Sequence, residues 1–139
     1  QDGLYTLFMK GVKKGEEIQE IELIDNIVKC VDPYLNFKEY LNLAKEESLE
    51  FIISNTTEAG IAYVASDTSE MQPPSSFPAK LTLLLHERFT HFKGDKSKGL
   101  TIIPCELINH NSETLREIII TYISDWNLGD DFKTWILVF

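Results

Sequence analysis

Phe51-Ile52-Ile53 runs without a break into Ser54-Asn55-Thr56-Thr57-Glu58-Ala59-Gly60, and this junction constrains the fold more than any other stretch. A short run that is apolar at every position suits a strand buried on both faces, as in a parallel sheet covered by helices. In open α/β sheets, ligands bind at the carboxyl ends of such strands. Ser54, Asn55, Thr56 and Thr57 would place hydroxyls, an amide and backbone N–H groups there, and Glu58 a carboxylate. The competing reading is a plain Ser/Asn/Thr turn whose side chains bond their own backbone.

A second junction of the same kind follows. Leu100-Thr101-Ile102-Ile103-Pro104-Cys105-Glu106-Leu107 reads as another buried strand, with pairing ended by Pro104 because proline has no N–H for a ladder. The loop Ile108-Asn109-His110-Asn111 comes next, with Asn111 able to cap the following helix. Around these strands the apolar spacing is helical. Asn36 caps a helix with Glu39 reaching back and Phe37, Tyr40, Leu41 and Ala44 on one face. Phe77-Pro78 opens a second, with Leu81, Leu84, Leu85, Phe89 and Phe92 as its stripe. Leu115, Ile118, Ile119, Tyr122, Ile123 and Trp126 mark a third, and Asp130-Asp131 starts a short fourth with Phe132, Trp135 and Ile136.

Helix, strand, helix, strand, helix implies an α/β fold with a parallel sheet. Before residue 34, Gly3–Lys10 and Ile18–Val28 are β-like around the polar turn Lys13-Lys14-Gly15-Glu16-Glu17. That hairpin would add strands to one side of the sheet, and Asp32-Pro33 ends it. Ile61–Ala65 could form a short strand, and Ser66–Ser76 is a loop punctuated by Pro73-Pro74. If the two buried strands are neighbours, Ser54–Glu58 and Glu106–Asn111 meet at one sheet edge. Glu58, Glu106, His110 and several amides would then surround a polar ligand such as a sugar acid or nucleotide. Glu106 also has a surface or helix-dipole reading, and Asn111 a cap-only reading.

At 139 residues the chain reads as one domain. Its net charge of −9 and lack of a basic stripe speak against nucleic acid. No apolar run approaches the roughly 18 residues of a membrane span. Cys30 and Cys105 read as free thiols, consistent with a cytoplasmic protein. His86 and His91 lie five apart on a helix, whereas two ligands on one face want three or four, so no metal site is expected. The absence of an initiator Met and the apolar end Trp135-Ile136-Leu137-Val138-Phe139 suggest a piece of a longer protein, whose exposed end would favour self-association.

Five blocks standing in order then carry a resemblance: Gln1-Asp2-Gly3-Leu4-Tyr5-Thr6, Ser54–Ile61, Pro78-Ala79-Lys80-Leu81-Thr82, Glu87-Arg88-Phe89 and Ile102–Ile108. From Gln1 to about Trp135 the chain closely resembles the tagaturonate-reducing branch of the mannitol dehydrogenase family. The resemblance implies a Rossmann-type parallel sheet with flanking helices and an added N-terminal hairpin, forming residues 1–139 as the later part of a dinucleotide-binding domain. It implies NAD as cofactor and D-tagaturonate and D-altronate as a sugar-acid substrate pair, interconverted by hydride transfer. The family's Gly-rich turn, its ribose-reading acidic residue and its helical domain with the catalytic Lys have no counterpart here.

Carried over by resemblance, Ser54, Asn55, Thr56 and Thr57 face the nicotinamide end of the cofactor. Glu58 and Glu106 face the substrate, and Asn111 polarises the reacting oxygen. Leu107 and Ser112 stand where the mannitol dehydrogenases have Asn and Gly, which leaves Asn111 as the oxyanion candidate of that loop. The alternatives are a mannitol or fructuronate reductase of the same family, or a non-catalytic binding or assembly module that keeps the fold.

Overall fold

The computed structural model describes residues 3–57 and 59–138. They form two compact units, Gln1–Asp32 and Pro33–Phe139, with the boundary at the Asp32-Pro33 break.

The first unit is a hairpin. Strand β1 (Tyr5–Lys13) pairs antiparallel with β2 (Glu16–Ile24), Tyr5 opposite Ile24 and Lys13 opposite Glu16. The turn is only Lys14-Gly15, tighter than the sequence suggests. Both residues have positive φ, 55° and 87°, which a two-residue turn of matching twist requires. Along β2 the register places Ile18 and Ile24 on the same side as Glu20 and Glu22, and Ile21 and Leu23 on the other. Neither side is cleanly apolar, and Phe8, Val12, Ile21 and Leu23 are all exposed.

The second unit holds the core. Helix α1 (Phe37–Asn42) starts where the sequence says: Asn36 Oδ1 accepts from the Glu39 N–H at 3.1 Å, and Asn36 Nδ2 donates to the Glu39 carboxylate at 3.3 Å. A 3-10 turn at 43–45 leads to strand β3 (Phe51–Ser54). Helix α2 (Phe77–His91) is capped by Ser76, whose Oγ accepts from the Ala79 N–H, with Pro78 in its first turn. Strand β4 (Thr101–Pro104) runs parallel to β3, with Phe51 opposite Thr101 and Ser54 opposite Pro104. Helices α3 (Asn111–Asp125) and α4 (Asp130–Leu137) follow. Leu81, Leu84 and Leu85 of α2, Leu115, Ile119 and Ile123 of α3, and Phe132, Trp135 and Ile136 of α4 close one core, with Ile52 and Ile102 packed against it.

Four expectations are corrected. The hairpin does not extend the parallel sheet: β1 pairs with β2 and β3 with β4, in two separate two-stranded sheets among the described residues. β3 and β4 are covered on one face only. Ile52 and Ser54 face the helices, whereas Phe51 and Ile53 are 55% and 68% exposed, because all the core helices pack on the Ile52 side. Ile61–Ala65 is not a strand. Instead, the buried Tyr122 hydroxyl accepts from the Val64 N–H at 2.9 Å and holds this segment to α3. The apolar end is not wholly exposed either. Trp135 and Ile136 fall on the inner face of α4, spaced three and four from Phe132, and are buried, while Leu137 and Val138 are half exposed. Phe139 lies outside the described residues.

Candidate functional site

Parallel pairing in register has a direct consequence: the loops after β3 and β4 leave the sheet at the same end. The Cys105 N–H donates to the Ser54 carbonyl at 2.7 Å, so the ladder holds right up to the point where both strands stop. Beyond it, Glu106 reaches across. Its Oε2 accepts from Ser54 Oγ at 3.1 Å, and its Oε1 accepts from the Thr56 N–H at 3.1 Å and from Thr56 Oγ1 at 2.9 Å. Glu106 is 4% exposed. Burial opposes its ionisation, but the hydrogen bonds from Thr56 and Ser54, with its own backbone N–H, outweigh that and hold it below the usual carboxylate range.

Asn111 secures the other side of the loop. Its Nδ2 donates to the Pro104 carbonyl at 2.9 Å and to the Glu106 carbonyl at 3.1 Å, and its Oδ1 accepts from Ser112 Oγ at 3.2 Å. Both amide hydrogens are thereby engaged on backbone. Asn111 is the first residue of α3 and not its cap. His110 occupies the cap position in the left-handed region, at φ 55°, without a side-chain bond to the helix. The exposed His110 ring lies 3.9 Å from the Glu113 carboxylate.

The structure thus brings Ser54, Thr56, Glu106 and Asn111 together by hydrogen bonds. Asn55, Thr56 and Thr57 are all exposed on the loop after β3, as are Cys105 and Leu107 beyond β4. Glu58 lies outside the described residues. Gly60 returns close to the loop's start: its N–H donates to the Thr57 carbonyl at 2.7 Å, and a Cβ there would fall on the Thr56 side chain. A cavity of about 280 Å³ lies against β4, bounded by Leu85, Leu100, Ile102, Leu115, Ile119 and Trp135 with Ser112 and Arg116; it touches the loop cluster only at Pro104 and Ser112, and neither Glu106 nor residues 54–57 line it. Among the described residues no group of three His, Cys, Asp or Glu side chains could hold a metal ion, and no helix is long and apolar enough to cross a membrane.

Sequence reasoning missed the polar groups that hold the scaffold behind these loops. Arg88, 1% exposed on α2, donates Nε to the Lys98 carbonyl at 2.6 Å, Nη1 to the Ala44 and Glu46 carbonyls at 2.9 Å each, and Nη2 to the Leu49 carbonyl at 3.0 Å. It ties the segments entering β3 and β4 to one helix. Asp67, also buried, accepts from the Ser75 N–H and Oγ and from the Ser76 N–H, all within 2.9 Å, and so fixes the approach to α2. In the sequence, Arg88 stands three and four residues after Leu85 and Leu84, on the apolar stripe of α2, and that spacing was the only sign available.

Comparison with known proteins agrees with this arrangement. A model of the mannitol dehydrogenase Rossmann domain matches residues 1–137. The chain is 49% identical over 135 residues to altronate oxidoreductase of Bacteroides thetaiotaomicron, covering 97% of this chain and 28% of that protein. It is 48% identical over 136 residues to altronate oxidoreductase of Bacillus subtilis, covering 98% and 28%. The chain therefore spans little more than a quarter of the length of these relatives. In fold it is similar to Pseudomonas fluorescens mannitol 2-dehydrogenase, solved as a ternary complex with NAD and D-mannitol, at a TM-score of 0.71 and 16% identity over 99% of this chain and 29% of that one. The parallel strand pair, its helices and the match over nearly every residue lead to one conclusion: this chain belongs to the mannitol dehydrogenase family, within its Rossmann domain.

Proposed function

We propose that the chain is the later part of the dinucleotide-binding domain of an NAD-dependent oxidoreductase that interconverts D-tagaturonate and D-altronate by hydride transfer. The observation that carries this reading is the identity of 49% and 48% to two altronate oxidoreductases over nearly the whole chain. The geometry supports it, since two polar loops emerge side by side from the carboxyl ends of adjacent parallel strands, where α/β folds bind their ligands.

In this reading the loop Ser54-Asn55-Thr56-Thr57 lies at the nicotinamide end of NAD. Of its exposed members, Thr56 is bonded to Glu106, which leaves the side chains of Asn55 and Thr57 to meet cofactor or substrate, and Glu58 continues the loop. When bound, NADH supplies the hydride; this chain's residues orient it and the keto acid. Asn111 holds the second loop through the Pro104 and Glu106 carbonyls and acts on the reacting oxygen only if one of those bonds is exchanged for it. The proton-handling Lys and the turn for the cofactor pyrophosphate belong, in this reading, to other parts of the protein. The protein is cytoplasmic in this reading, and its partner is a small sugar acid.

The test is an assay of the full-length protein with tagaturonate and NADH, beside mannitol with NAD and fructuronate with NADH. Fastest turnover of tagaturonate is expected. A preference for either other substrate would move the protein to another branch of the family, and no dehydrogenase activity would favour a binding or assembly role.

A further inference from the structure

Glu106 is a carboxylate committed to the protein itself. Each oxygen accepts hydrogen bonds from the loop after β3, and the group is buried. Its partners are residues 54 and 56 of that loop; residues 55–57 are all exposed, and Asn55 and Thr57 make none of the bonds to Glu106. Anchoring residues 54 and 56 restricts where Asn55, between them, and Thr57, next along the chain, can lie. The latch is itself held, because Asn111 grips the backbone carbonyls of Pro104 and Glu106. It is crowded from behind by Gly60, where any side chain would displace Thr56. A carboxylate suits this latch best: the Thr56 N–H and hydroxyl donate to one oxygen and the Ser54 hydroxyl to the other, whereas an amide would have to turn its NH2 on Ser54, whose hydroxyl must then accept, and would lose the charge that strengthens all three bonds.

Resting on the oxidoreductase reading above, we infer that Glu106 is a positioning residue of that reaction. Latched by Ser54 and Thr56 and steadied by Asn111, it sets the loop from which Asn55 and Thr57 meet the nicotinamide end of the dinucleotide and the substrate. It touches neither.

The experiment uses the full-length protein with Glu106→Gln, Glu106→Asp, Ser54→Ala, Asn55→Ala and the combinations of Glu106→Gln with the last two. Each is measured for kcat and KM with tagaturonate, for NADH Kd by fluorescence titration, and for Tm. Loss of loop position is expected to lower kcat/KM by about 100-fold in Glu106→Gln, the scale of a 1 Å misplacement. Glu106→Asp recovers part of it, and Ser54→Ala adds little once Glu106 is changed. The decisive readout is coupling between Glu106 and Asn55. Asn55→Ala should weaken kcat/KM and NADH binding in the wild-type background and cost much less in Glu106→Gln, because the loop is already displaced.

A Glu106 of merely structural importance lowers Tm while the cost of Asn55→Ala stays the same in both backgrounds, and that result overturns the inference. Wild-type kcat/KM and Kd in Glu106→Gln overturn it too, leaving the oxidoreductase reading intact. Wild-type protein that binds NADH but reduces no tagaturonate sinks the substrate reading alone, and the coupling in Kd still decides the role of Glu106. A protein that binds no NADH overturns both.

Discussion

Arg88 ends in a shell of carbonyls. A guanidinium has five donors in a planar fork, and here four bonds go to main-chain oxygens on the segments that enter β3 and β4. Arg88→Met keeps much of the volume but leaves buried carbonyls without partners. Each hydrogen bond to a charged group contributes about 1.5–3 kcal/mol, so a loss of at least ~3 kcal/mol is expected in urea unfolding. Asp67 and Glu106 predict the pH dependence. For Asp67, too, burial opposes ionisation and the hydrogen bonds from Ser76 and Ser75 outweigh it, so both carboxyls sit below their ordinary values when folded. A lowered folded pKa contributes stability above the unfolded pKa, which is lost as pH falls through the folded one. Thermal stability is therefore expected to hold above the ordinary carboxylate values, about 4, and to fall below them. Asp67→Asn and Glu106→Gln should each flatten that decline, and a slope unchanged in both variants would contradict the assignment. None of these roles was legible locally, because a charged residue in a helix or loop reads the same whether carbonyls or water surround it.

At the scale of elements, the polar loop after β3 is shaped by contacts 50 and 52 residues away in sequence, between Glu106 and residues 56 and 54. Gly60 is the point at which the loop tolerates least. Gly60→Ala pushes a methyl onto Thr56, whose hydroxyl is committed to Glu106, and overpacking of this kind costs about 1–3 kcal/mol. The expected outcome is a lowered Tm and, in the full-length protein, lowered activity. Tyr122 links α3 to the segment before α2, with its hydroxyl near Val64 and 3.1 Å from Ser76 Oγ, the cap of α2. Tyr122→Phe strands the Val64 N–H and should cost about 1–3 kcal/mol, measured by denaturant midpoint at unchanged m. The helices themselves were readable from their stripes and from Asn36, because caps and periodicity are local. Ile61–Ala65 has the β-branched residues of a strand but forms a loop tied down by Tyr122.

For the whole molecule, the open face of the β3–β4 sheet matters most. Phe51, Ile53 and Ile103 are exposed together with one side of the pair unpacked. The isolated chain is expected to self-associate as its concentration rises, through this face more than through its half-buried C-terminal helix. Ile53→Lys should reduce that association in sedimentation measurements, whereas Leu137→Lys should have the smaller effect. Calorimetry of the isolated chain with NADH is expected to show no useful affinity. The described loops offer contacts to one end of a dinucleotide, and a net charge of −9 repels its anionic pyrophosphate. Micromolar binding by this chain alone would place the main cofactor site within it.

What the sequence determined by itself was the alternation of elements, the breaks at Pro33 and Pro104, the cap at Asn36 and the two strand-to-loop junctions. All of these rest on forces between residues a few positions apart. Tertiary structure alone decided which face of β3 is covered, that Glu106 and Asn111 spend their polar atoms on the protein itself, and that Arg88 is buried. The reason is physical. Periodicity tells which residues share a face, but only packing tells what that face meets, and a polar side chain takes its role from whichever donors and acceptors the fold sets within about 3 Å of it.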